Sequence, residues 1–117
     1  MKLESYEIPV MSLVEFADKY GLVMEVKERR DWRWQDKYFA YFKDVEVKTL
    51  RGMLSGTYGN GADEYDAICS YVREISEKRL VHKAYQKERQ DIEAPKLTFN
   101  INDYKKLKEQ PENRKDE

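Results

Sequence analysis

Apolar positions recur at helical spacing in two parts of the chain and alternate in several others. The clearest helical stripe is Tyr65, Ile68, Cys69, Val72 and Ile75, with Asp63, Glu64, Asp66, Ser70, Arg73, Glu74 and Glu77 taking the other side. This pattern predicts an amphipathic helix with Asp63 as N-cap and a core-facing Cys69. Gly59-Asn60-Gly61 reads as the tight, positive-φ turn that delivers the chain into it. The second stripe is Leu13, Phe16, Ala17 and Tyr20, opened by the Ser12-x-x-Glu15 capping spacing and closed by Gly21.

Between the two stripes the pattern shortens toward a period of two. Leu22 to Lys27 predicts one strand and Lys37 to about Lys48 a second, in which Phe39, Tyr41, Val45 and Val47 share a parity. Lys43-Asp44 interrupts that parity and suggests a bulge. Thr49 to Gly52 reads as a turn and Met53 to Tyr58 as a third strand. After the helix, Lys78 to Tyr85 and Arg89 to Ala94 predict a terminal hairpin, with Leu97-Thr98-Phe99 as one last extended contact. The expected fold is α+β: an antiparallel three-stranded meander covered by two helices (α-β-β-β-α), plus a C-terminal β-hairpin. Residues 1–101 are expected as a single domain. Residues 102–117, with five acidic and five basic side chains and few apolar ones, are expected as a charged tail, disordered or a frayed helix.

Composition narrows the chemistry. The chain has 117 residues, 40% of them hydrophobic, enough for one core. Its 22 basic and 23 acidic residues nearly cancel, so no global field draws it to nucleic acid or to an anionic membrane. One cysteine fits a reducing cytosol, and no apolar run spans a bilayer. With one histidine and one cysteine, neither a metal site nor a nucleophilic triad finds its residues, and no cofactor is expected. Gly56-x-x-Gly59-x-Gly61 lacks the lysine of a phosphate loop and runs into acidic residues. Asp44-x-Glu46-x-Lys48 carries the Glu-x-Lys element that magnesium nucleases place on a strand, set against the simpler reading of a solvated strand face.

The most distinctive cluster is Arg29, Arg30, Trp32, Arg33 and Trp34, in an expected loop. Side chains one residue apart on each side of Arg33 are hard to bury together, and arginine and tryptophan are enriched at binding hot spots. From Lys27 to Lys37 there are five basic and three acidic residues, a net of +2. The helix from Asp63 to Glu77 carries five acids and one base, a net of −4.

The α-β-β-β-α order over residues 12–76 resembles the double-stranded-RNA-binding domain. That family grips phosphates with lysines at the start of its last helix. Here those positions are Asp63-Glu64-Tyr65-Asp66; the resemblance implies the fold without the RNA grip. The succession Tyr58-Gly59-Asn60-Gly61, the helix through Ile75-Ser76, and Arg79-Leu80-Val81 to Tyr85 with Arg89 and Pro95 is similar to small proteins of uncharacterised role encoded in phages and prophages of Gram-positive bacteria. That resemblance implies an accessory protein acting on a host factor, without enzyme activity; a cytoplasmic location in the host cell is expected, as monomer or homodimer. Its expected partner is a host protein, a defence component such as a nuclease being one such target. The contact residues expected are Arg29, Arg30, Trp32, Arg33 and Trp34, with Asp63, Glu64 and Asp66 of the helix steering. Two alternatives stay open: a nucleic-acid-binding module using the same loop, and a magnesium-dependent nuclease through Asp44, Glu46 and Lys48.

Overall fold

A short strand opens the computed structural model, which describes residues 10–30 and 35–109: β1 (Val10–Ser12) leads directly into α1 (Leu13–Tyr20). The capping box forms as its spacing predicts. The Glu15 amide donates to Ser12 Oγ at 3.1 Å, and the Ser12 amide reaches Glu15 Oε1 at 3.4 Å. Gly21, at φ 67°, ends the helix and donates its amide to the Ala17 carbonyl.

The strands that follow divide between two sheets instead of forming one meander. β2 (Met24–Glu28) and β3 (Tyr38–Phe42) make an antiparallel hairpin, and β6 (Gly59–Gly61) pairs antiparallel with β3, giving the order β2-β3-β6. At Lys43-Asp44 the chain leaves this sheet. Asp44 takes a left-handed φ of 61°, the Lys43 amide donates to the Val23 carbonyl, and β4 (Val45–Lys48) begins a second sheet. The break is thus a crossing between sheets, not a bulge in one long strand. Parity does not survive it: Phe39 and Tyr41 face outward, whereas Val45 turns into the core.

The second sheet has the order β5-β4-β7-β8, all antiparallel, with β5 (Leu54–Ser55), β7 (Arg79–His82) and β8 (Gln90–Glu93). The expected terminal hairpin is therefore present as β7–β8, and it pairs with β4 of the same chain. β9 (Lys96–Thr98) closes the fold by pairing with β1, in parallel.

Over the inner face of the first sheet lies α2 (Glu64–Ile75), capped by Asp63, whose carboxylate accepts the Asp66 amide at 2.8 Å. Its buried residues are Ala67, Ile68, Tyr71, Val72 and Ile75. Tyr65 and Cys69, expected on the buried stripe, are only half-buried, because the helix sets its small Ala67 against the sheet and rotates Tyr65 toward Phe99. Gly59-Asn60-Gly61 is strand, not turn, and its glycines lie directly under this helix.

Beyond β9 the chain forms a third helix, α3 (Ile101–Glu109), over part of the 102–117 segment expected as a frayed helix or disorder. Asn100 and Asp103 cap it reciprocally, the Asp103 amide donating to Asn100 Oδ1 at 2.9 Å and the Asn100 amide to Asp103 Oδ2 at 3.1 Å. Leu107 is buried and Tyr104 packs on the core. One cluster joins α1, α2, α3, Met24 and Phe42 of the first sheet, and Val45, Leu80 and Ile92 of the second. No helix among the described residues is long and apolar enough to cross a membrane.

Candidate functional site

The expected contact residues do not form one surface. Trp32, Arg33 and Trp34 lie outside the described residues. The base of the β2–β3 hairpin closes where the Arg29 amide donates to the Lys37 carbonyl at 2.7 Å. Arg30, next to that base, is exposed. Arg29 is not a loose loop cation. Its guanidinium donates to the Asp36 carbonyl at 2.7 Å and to Asn60 Oδ1 at 2.6 Å, and it lies 4.8 Å from the centre of the Phe39 ring. It pins the hairpin base to β6.

The acidic residues of α2 sit elsewhere. Asp63 is engaged as the cap and Asp66 is exposed. Glu64 is tied to α3: the Tyr104 hydroxyl donates to Glu64 Oε1 at 2.8 Å and Lys108 Nζ lies 3.0 Å from the same oxygen. Burial would raise the Glu64 pKa, but the hydrogen bonds from Lys108 and Tyr104 outweigh it and hold the carboxyl below its ordinary range. Because α2 covers the inner face of the first sheet, its acidic start cannot share a surface with side chains on the outer face.

That outer face is what the sequence reading missed. With Ala40, Gly59 and Gly61 turned toward α2, the opposite parity sends Phe39 and Tyr41 of β3 and Tyr58 before β6 outward. The three rings touch one another. Phe39 and Tyr41 stack at 6.1 Å with 17° between planes, and Tyr58 stands nearly perpendicular to both at 5.5 and 5.6 Å. Tyr58 remains 55% exposed. The Tyr41 hydroxyl donates to Glu25 Oε1 at 2.7 Å, and burial, reinforced by that hydrogen bond and the Glu25 charge, pushes its pKa up to about 12. A signal was present: in Tyr38-Phe39-Ala40-Tyr41-Phe42 aromatic residues occupy both faces, and only the face with the small Ala40 can admit a helix.

Where this face meets the second sheet there is a groove of about 300 Å³, lined by Phe39, Tyr41 and Tyr58 on one side and Asp44 and Glu46 on the other. Glu46 Oε1 is buried with no hydrogen-bond donor among the described residues. Of the nuclease-like triplet, Asp44 lies in the left-handed turn and Lys48 pairs with Asp91 at 3.7 Å. Among the described residues no group of three or more histidine, cysteine, aspartate or glutamate side chains is placed to hold a metal ion. His82 is nearly buried on β7, where desolvation and then Lys83 lower its pKa against the opposing pull of Asp44.

These described residues define an α+β protein of two antiparallel sheets, a parallel β1–β9 pair and three helices, with an open aromatic face on the first antiparallel sheet. No family model, curated protein or solved structure matches the chain.

Proposed function

We propose that this chain is a non-enzymatic binding protein whose partner is another protein. Its contact surface is the outer face of the β2–β3–β6 sheet together with the residues expected from the sequence, Arg29, Arg30, Trp32, Arg33 and Trp34. The observation that carries the reading is the trio Phe39, Tyr41 and Tyr58, three mutually packed rings on one open face. Aromatic anchors that are already held rigid lose little entropy on binding and concentrate the binding energy of an interface. Charge around them is mixed, with Lys27 and Arg29 set against Glu25, Asp44 and Glu46. A phosphate backbone needs a continuous basic track, so this balance favours a protein surface over nucleic acid.

The identification of the partner as a host protein in the bacterial cytoplasm, with a defence component such as a nuclease as one target, rests on the resemblance of residues 58–95 to phage and prophage proteins. In this reading the protein acts by occlusion. The test uses the full chain and its Tyr58→Ala variant, each immobilised in bacterial lysate, with bound proteins identified by mass spectrometry. Tyr58 is on the surface, so the variant is expected to keep its far-UV circular dichroism and thermal midpoint. A specific partner retained by the parent is expected to be depleted about tenfold or more by the variant, the loss of a hot-spot residue. Equal retention by both removes this face from the interface. Retention of nucleic acid in its place, with affinity falling steeply with salt, would favour the nucleic-acid reading.

A further inference from the structure

We infer that the groove beside the aromatic face receives an arginine side chain from the partner. The inference rests on the protein-binding reading above and names what the partner must present. The aromatic side of the groove is built from Phe39, Tyr41 and Tyr58, rings whose faces carry the negative side of the π quadrupole and attract a cation. The rest of the lining carries Asp44, held in the left-handed turn after β3, and Glu46 on β4 against a single lysine, Lys27, so carboxylates outnumber cations there two to one.

Glu46 adds the more specific argument. Its Oε1 is withdrawn from solvent and meets no donor among the described residues. Glu46 also lines a smaller cavity together with Lys83, which does not reach that oxygen. A buried acceptor without a donor is costly, and turning this carboxylate toward the groove lets an incoming N–H relieve the cost with a charge-assisted hydrogen bond. Glu25, by contrast, is already occupied by the Tyr41 hydroxyl.

The chemistry separates the occupants. An anion would face two carboxylates with only Lys27 to offset them, and a neutral side chain would leave the lining with an excess of one negative charge. Arginine is preferred to lysine because its guanidinium is planar, stacks on rings and forks toward carboxylates, whereas an ammonium is a compact, strongly hydrated charge. The protein itself supplies a precedent on this face: Arg29 lies over Phe39 at 4.8 Å while its N–H groups satisfy Asp36 and Asn60. The groove, at about 300 Å³, is sized for a side chain and not for a large ligand.

The test is a ¹H–¹⁵N titration of the full chain with N-acetyl-arginine methylamide. Parallel titrations use the citrulline analogue, which has the same shape without the charge, and pentathymidylate. Blocked arginine is expected to move the amides of Tyr41, Glu46 and Tyr58 along one saturating curve, with citrulline at least tenfold weaker. Glu46→Gln, which keeps size and fold, is expected to weaken the arginine curve about fivefold or more. Equal binding of citrulline, an unchanged curve in Glu46→Gln, or preferential binding of pentathymidylate would each overturn the arginine site. If arginine fails here while Tyr58→Ala still loses its captured protein, the protein-binding reading stands and only this inference falls. If arginine binds while Tyr58→Ala retains its captured protein, the cation site stands and that reading of the face falls.

Discussion

Gly59 and Gly61 are the residues whose absence of a side chain matters most. A Cβ on Gly59 would meet the Tyr71 amide nitrogen and the Ala67 carbonyl oxygen far inside contact distance, and one on Gly61 would meet the Ala67 amide nitrogen. Neither has a positive φ, so close approach of α2, and not conformational freedom, requires glycine here. Gly21 is the opposite case, with φ 67° and open space around it. Gly59→Ala is therefore expected to lower the unfolding free energy by about 3 kcal/mol or more, because helix backbone cannot give way as a flexible side chain would. The urea midpoint of the variant measures this, and a loss under about 1 kcal/mol would mean that α2 is not seated on β6 as described. A Gly-x-Gly pair ahead of a helix reads naturally as a turn from sequence. The two physical uses of glycine differ only in what lies opposite, and a sequence does not display that.

Helix ends were more legible than helix membership. Ser12, Glu15, Gly21 and Asp63 act as their spacing predicts, because capping is a local interaction closed within four residues. The same spacing stands at Asn100-x-x-Asp103, where the sequence reading went by the charged composition of residues 102–117 alone. What composition hides is that Tyr104 and Leu107 are three apart, enough for a narrow stripe that α1 and α2 complete. Asn100→Ala removes the acceptor for the Asp103 amide and is expected to cost about 1 kcal/mol, localised to this helix. Faster amide exchange across 101–109 with little change in α1 would show it; unchanged protection would mean that docking alone holds α3. Acid should loosen the same contact. Because the Glu64 pKa is lowered in the folded state, its bonds to Tyr104 and Lys108 contribute fully above the ordinary carboxyl value of 4.5 and are lost as pH falls through the lower folded value. The pair is partly exposed, so the effect is expected to stay below roughly 1 kcal/mol.

At the scale of the whole molecule, the α+β class and the β7–β8 hairpin were readable, whereas the partition of strands between sheets was not. β4 pairs with β7 across α2, and β1 with β9 across nearly the whole chain, so neither partner is within reach of a local pattern. The division into sheets also creates the candidate groove, since Tyr58 comes from the link between β5 and β6, Phe39 and Tyr41 from the first sheet, and Glu46 from the second. Its shape then depends on both sheets holding their relation to α2. One buried cluster contains Met24 and Phe42 of the first sheet, Leu80 and Ile92 of the second and the buried face of α2, which argues for a single cooperative unit in place of two sheets melting separately. Leu80 is fully buried in the second sheet. Leu80→Ala is expected to cost about 2–5 kcal/mol. If the core is one unit, native-state amide exchange will show protection in α2 and β3 falling by the same free energy as in β7, while the fully surface-exposed Leu50 changed to alanine alters neither. Loss of protection confined to β4, β7 and β8 would separate the sheets energetically, and the groove between them would then open and close with the second sheet instead of standing preformed for a partner.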